Sequence, residues 1–175
     1  AKLRKEVELN IRELDALVEE VLLASRLDAQ TDARATPHTT VALLPLAAEE
    51  GSRVNAVLTG DDVSVQGDER LLRRALRHVL ENAQRYGGSA APEVEIRRNA
   101  GQVELRISDR GPGVAPAERE RIFEPFYRLP GHSEQIGGVG LGLSLVRQIS
   151  EAHRGSVRCE GRDGGGSCFV LSLPA

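Results

Sequence analysis

Arg77-His78-Val79-Leu80-Glu81-Asn82-Ala83-Gln84-Arg85-Tyr86 closes a run from Asp68 that reads as one helix. Asp68 suits its start, because a carboxylate there can accept the free N–H groups of the first turn. Leu72, Leu76, Val79, Leu80 and Ala83 recur at helical spacing and belong against a core. His78, Asn82 and Arg85 fall at i, i+4 and i+7, within roughly 60° of one another on the opposite side at about 100° per residue. An imidazole, a carboxamide and a guanidinium thus share one stripe, with the Tyr86 ring just off it. Alone, such a face reads equally well as solvated surface; the glycine-rich stretches downstream decide between the two.

The chain has 175 residues with 40% apolar content, enough for one domain of ordinary size plus an appendage without staples. A net charge of −3 and a pI near 5.9 leave no basic field to hold nucleic acid. No apolar run has transmembrane length and no signal peptide is present, so the expectation is a soluble chain without membrane contact. Cys159 and Cys168 form neither a metal-ligand pattern nor a disulfide framework, which fits a reducing, cytoplasmic setting. A turn midway between them suggests that the two thiols face each other across a final hairpin. Methionine is absent, which hints at a fragment.

Residues 1–30 read as an amphipathic helix with the apolar stripe Leu3, Val7, Ile11, Leu14, Val18 and Val21 or Leu22. A linker follows over 31–40, where Pro37 interrupts a polar run. The main domain is expected over 41–175. A short helix lies within 41–50, with Pro45 in its first turn and Gly51 at its end. Short strands flank Gly60-Asp61-Asp62. Two longer strands at 93–98 and 102–108 turn at Ala100-Gly101, with Val94, Ile96, Val103, Leu105 and Ile107 inward. A short helix at 116–122, another at 142–153, and strands near 156–160 and 167–173 complete the chain. The pattern predicts an α+β fold: a two-layer sandwich, its mixed, mostly antiparallel sheet covered by helices on one face.

Two stretches exceed what a core requires. Asp109-Arg110-Gly111-Pro112-Gly113 ends a strand; its carboxylate can accept from an amino group, and its glycines let backbone approach a flat ligand. Gly137-Gly138-Val139-Gly140-Leu141-Gly142-Leu143 leads into a helix, where free N–H groups make an anion site. Its spacing fits neither the dinucleotide fingerprint nor a P-loop. Each alone is also a plain turn or hinge. Together with the polar helix face they supply partners for an amino group, a ring face, a metal and phosphates, which is the inventory of a purine nucleoside triphosphate.

At these residues the chain resembles the ATP-binding catalytic domain of sensor histidine kinases, in the superfamily shared with gyrase and MutL. His78–Tyr86 is similar to the N box and Asp109–Gly113 to the first glycine box. Phe123-Glu124-Pro125-Phe126-Tyr127-Arg128 is similar to the F box, and Gly138–Gly142 to the second glycine box. The resemblance covers about residues 52–174. Residues 1–30 resemble the second helix of the family's dimerisation hairpin. The resemblance implies a Bergerat-type fold that binds ATP and Mg²⁺. Asn82 would ligate the metal, Arg85 reach a phosphate and Tyr86 pack on adenine. Asp109 would accept from the adenine amino group, setting ATP over GTP. Gly111 and Gly113 would admit the ring. Gly138, Gly140, Leu141 and Gly142 would offer N–H groups to the phosphates. Residues 129–137 would form a lid, with Phe123 and Phe126 packed on the core as its anchors. His132 and His153 read as structural or solvated.

The departures are specific. His78 stands where the N box usually opens with Asn, and a neutral imidazole there can still bond a metal-bound water. No histidine, His38 included, lies in the His-Glu/Asp-Leu-Arg-x-Pro setting of the phosphoacceptor. The expected activity is therefore transfer of the ATP γ-phosphoryl to a histidine outside this chain, on the protein's own dimerisation hairpin, and thence to a response regulator. The full-length protein would be a homodimer and this chain the cytoplasmic part of an inner-membrane sensor. The alternatives are an anti-sigma-type serine kinase and a nucleotide-gated interaction module without chemistry.

Overall fold

A computed structural model describes residues 2–30, 39–130 and 140–175. The elements run α1 (Lys2–Gln30), β1 (Thr39–Ala42), α2 (Leu43–Ser52), β2 (Val57–Gly60), β3 (Ser64–Gly67), α3 (Glu69–Tyr86), β4 (Glu93–Asn99) and β5 (Gln102–Ser108). Two single 3₁₀ turns follow, at Pro116–Glu118 and Arg121–Phe123, and then α4 (Gly142–Ala152), β6 (Ser156–Gly161) and β7 (Ser167–Pro174). Five strands form one sheet in the order β2-β4-β5-β7-β6; β2 and β4 are parallel and the other pairs antiparallel. Helices lie on one face. The expected α+β architecture is therefore the one observed.

Local chemistry explains the central elements. Asp68 caps α3, its Oδ1 accepting from the Arg70 and Leu71 N–H groups. Leu72, Leu76, Val79, Leu80 and Ala83 are all buried against Val94, Ile96, Val103, Leu105 and Ile107 of the sheet. Each such leucine contributes about 2 kcal/mol through the apolar area it removes from water. Ala100 and Gly101 both take positive φ, 47° and 81°, the conformation a tight two-residue hairpin demands. Beyond the site, α3 and α4 are joined at one end. Buried His153, just past α4, contacts the Ile149 carbonyl through Nδ1 at 2.7 Å and accepts the Asp68 N–H at Nε2, 3.0 Å. That arrangement requires the neutral ring and agrees with the structural reading of this histidine.

Several expectations give way. Thr39 and Thr40, read as the tail of a linker, begin β1, which pairs with β3 in a separate two-stranded sheet. Gly51 lies inside α2 and does not end it. The short helix at 116–122 is two 3₁₀ turns. The cysteines do not face each other: Cys159 pairs with Phe169 and Cys168 with Glu160. The one-residue offset sends the two thiols to opposite faces of the sheet. Both are free and buried, and burial pushes the Cys159 thiol up to about 11.

The face of the sheet away from the helices is roofed by charge. Arg106 joins Glu104 at 3.3 Å and Glu160 at 2.7 Å; Arg158 joins Glu160 at 2.7 Å and Glu104 at 3.1 Å. The four side chains close a ring over β7 and cover Val170 and Ser172, which are buried without a second layer of helices. Burial raises the Glu104 carboxyl, but the two arginines and Asn99 outweigh it and hold it below the usual range.

Candidate nucleotide site

The C-terminal half of α3, the end of β5 and the start of α4 converge on one cavity of about 410 Å³. His78, Asn82, Arg85 and Tyr86 line it from α3, Asp109 and Gly113 from the loop after β5, and Gly140, Leu141 and Gly142 from the approach to α4. Gly111 does not line it, and Gly138 lies outside the described residues, as do His38, His132 and 131–137 of the expected lid.

Asp109 is buried, and its Oδ1 accepts the Gly111 N–H at 2.8 Å and the Ser167 N–H at 3.3 Å. Both backbone donors use one oxygen, which leaves Oδ2 for the cavity. Gly111 is glycine because the end of α3 presses on it: a Cβ there would collide with the Tyr86 carbonyl. The space it provides is filled by protein, while Gly113, at φ 77°, meets the cavity itself. Gly140 has φ 82° and accepts the Phe126 N–H at 2.9 Å, tying the F-box turn to the start of α4.

Helix α4 begins without a side-chain cap. Leu141 occupies the cap position and has no side-chain oxygen to offer, and the first intrahelical bond runs from the Leu145 N–H to the Leu141 carbonyl. The N–H groups of Gly142 and Leu143 therefore border the cavity at the positive end of a helix dipole.

His78 is mostly enclosed. Burial, then the cationic Arg74, Arg77 and Arg85, hold its pKa down at about 4, so the imidazole is neutral at pH 7. Its Nε2 stands 3.3 Å from the Glu20 Oε1 of α1. Glu20 in turn has a carboxyl raised by burial, against Arg74 and with Glu81.

Sequence reasoning missed the α1 wall of this cavity, formed by Glu13, Ala16, Leu17 and Glu20. These residues repeat at i, i+3, i+4 and i+7, a signal hidden because two of the four are charged. It also missed Ile122 and Phe169 on the floor. Of the F-box aromatics, Phe123 is buried edge-on against Phe169, with centroids 6.3 Å apart. Phe126 is not packed on the core: it is 65% exposed at φ 63°. Tyr127 lines the cavity instead, under the Arg121 guanidinium at 4.5 Å, with its hydroxyl donating to Glu118.

The sequence matches the family described as histidine kinase-, DNA gyrase B- and HSP90-like ATPase over residues 67–175. Sensor protein RstB of Escherichia coli is 35% identical over 94% of this chain, which spans 40% of RstB. Among solved structures, the mycobacterial sensor histidine kinase MprB aligns with a TM-score of 0.68 at 30% identity, over 78% of this chain and 97% of that one. Full-length ShkA in complex with AMPPNP aligns with a TM-score of 0.77 at 29% identity, over 99% of this chain and 39% of that one. With well over half of its residues matched and sensor kinases among its relatives, the chain belongs to the histidine kinase-, DNA gyrase B- and HSP90-like ATPase family, on the histidine kinase branch.

Proposed function

We propose that this chain is the ATP-binding catalytic part of a two-component sensor histidine kinase. The observation that carries the reading is the single cavity shared by the Asn82 face of α3, the free oxygen of Asp109 and the uncapped start of α4. AMPPNP in the ShkA structure supports it by likeness.

Asp109 accepts the adenine amino group through Oδ2, while its other oxygen keeps the loop in shape. Tyr86 packs on the ring and Gly113 gives it room. The N–H groups from Gly140 to Leu143 receive phosphate oxygens, and Arg85 adds a cation. Asn82 would offer Mg²⁺ a neutral hard oxygen, and His78 would offer a lone pair to a water on the metal. The fit is physical: a neutral side-chain oxygen on α3 and uncapped N–H groups at the start of α4 border one cavity. Bound Mg²⁺ supplies counter-charge to the phosphates. The protein's own contribution is to hold the nucleotide still and exclude water, so that an incoming histidine nitrogen meets the γ-phosphorus in line.

The acceptor is a histidine outside this chain. The exposed stripe of α1, from Leu3 through Val7, Ile11, Leu14 and Val18, is the face that takes the rest of the dimerisation hairpin in a cytoplasmic homodimer. A response regulator aspartate then receives the phosphoryl group. No helix among the described residues is long and apolar enough to cross a membrane.

The test combines two assays. Calorimetry should give Mg·ATP binding with GTP much weaker. Incubation with γ-³²P-ATP should leave this chain without acid-labile phosphate and label the hairpin of the parent protein when it is added. Label on this chain alone would identify an acceptor among its own histidines. No label on the mixture, with ATP bound, would favour a nucleotide-gated module.

A further inference from the structure

Helix α1 uses two faces. Its apolar stripe is exposed, and a second stripe roughly 140° round the helix, at 100° per residue, meets the domain. There Leu27 is buried and Leu23 and Ala24 pack against the core, while Asp28 accepts a 2.7 Å hydrogen bond from Gln148 of α4. One helical step nearer the N-terminus, the same face carries Glu20 to His78.

The two neighbours of the imidazole differ in kind. Nε2 lies 3.3 Å from a carboxylate oxygen, within ion-pair reach, and an ionised carboxylate offers only acceptors. Nδ1 lies beside the start of α4, where a Cβ placed on Gly142 would stand 3.2 Å from it and where the helix has no side-chain cap. A neutral ring has one N–H. With a carboxylate beside Nε2 and the positive end of α4 beside Nδ1, the proton is favoured on Nε2 and the lone pair on Nδ1.

We propose that Glu20 is a positioning residue for the nucleotide site: from α1 it holds His78 in the Nε2–H tautomer and keeps the Nδ1 lone pair turned to the α4 start, on the cavity that would take the triphosphate. The proposal rests on the functional reading above. It makes α1 the fourth wall of the site, with nucleotide affinity responding to whether α1 is docked. His78 in place of the usual Asn is then matched to Glu20: a carboxamide brings its own donor and acceptor in fixed positions, whereas an imidazole needs a neighbour to choose its tautomer.

The experiment uses the whole chain labelled with ¹⁵N-histidine. Without nucleotide, the long-range ¹H–¹⁵N spectrum should show His78, assigned by its loss in His78→Asn, as the Nε2–H tautomer. Glu20→Ala should convert it to a mixture, and Glu20→Gln, whose Oε1 still accepts, should restore the single form. ATP affinity should fall roughly two- to tenfold in Glu20→Ala, the range for losing one hydrogen bond, and stay within about twofold in Glu20→Gln. In the His78→Asn background, Glu20→Ala should change affinity no further. An unaltered tautomer in Glu20→Ala would overturn the proposal, as would an equal loss of affinity in the His78→Asn background. A wild-type chain that binds no ATP would overturn the reading of the site, and the tautomer spectrum would still decide the Glu20–His78 pairing.

Discussion

Asp109→Asn separates the two tasks of one carboxylate. Asparagine keeps an oxygen for the Gly111 and Ser167 N–H groups, now held at 2.8 and 3.3 Å by Oδ1. It replaces the oxygen left for the cavity with an NH₂ donor. Against the adenine amino group, a charge-assisted hydrogen bond becomes two opposed donors. Losing the bond and stranding the donors costs about 3 kcal/mol, from roughly 1.5–3 for a charged hydrogen bond and 1–3 for an unsatisfied buried group. That is a drop of about a hundredfold in ATP affinity at about 1.4 kcal/mol per decade. Guanine presents a carbonyl at the same edge, which the new NH₂ can bond; GTP affinity should rise about tenfold, for about 1.4 kcal/mol. The fold should hold, since only the charge on two internal hydrogen bonds is lost, and the melting temperature should fall by about 3 °C. Asp109→Ala, which orphans both N–H groups, should fall further. Calorimetry with each nucleotide and a thermal melt read all of this. ATP and GTP affinities moving together in a well-folded Asp109→Asn protein would refute the pairing of Asp109 with the base.

Asn82→Ala should remove the Mg²⁺ dependence of ATP binding, measured by titration with and without chelator; a retained dependence would put the metal elsewhere. Lowering the pH should weaken the seating of α1. The His78 pKa of about 4 lies below its free value of 6.5, so the unfolded chain binds the extra proton first. Its stabilisation is complete above pH 6.5 and is lost toward pH 4, by roughly 2 kcal/mol at pH 5. Glu20, raised by burial, works in the opposite sense and trims this. Hydrogen exchange of α1 amides at pH 7 and pH 5 should show faster opening at pH 5, and His78→Asn should abolish the difference. Glu50→Ala should cost about 2 kcal/mol in a denaturant melt. The buried Glu50 carboxylate takes Arg77 at 2.9 and 3.0 Å and Arg73 at 3.1 Å, and those hydrogen bonds hold its pKa low. The figure is below the 3–5 kcal/mol of a fully buried pair because both arginines can regain water. No loss of stability would mean that the pairs merely offset the cost of burying Glu50.

What could be read in advance is what local periodicity writes down. The α3 stripe, the alternation in β4 and β5 and the Ala100-Gly101 turn each fix an element from a few neighbouring residues. The motif residues of the cavity were legible because α3, the loop after β5 and the α4 start bring them there as continuous segments. Pairing between distant segments was not. β1 reads as part of a polar run after Pro37, and only β3, a helix and a strand later, makes Thr39–Ala42 a strand. The cysteines looked opposite because the turn lies midway between them, yet the register is one residue off and separates them. Glu13 and Glu20 carry the charges expected of a solvated face. Only the docking of α1 on α4 turns them toward the site.

The His153 joint has a mechanical consequence. It pins the start of α3 to the end of α4, whereas Asn82, Arg85 and Gly142 sit at the far ends of the same two packed helices. From Asp68 to Arg85 the helix runs roughly 25 Å at 1.5 Å per residue. A rotation of about 5° about the joint therefore moves the two jaws by about 2 Å where the nucleotide lies and by almost nothing at the pivot. Such a lever transmits any slack at the joint to the mouth of the site. It also makes a histidine one helix length from any phosphate a place where a small loss of stiffness is felt most strongly at the other end.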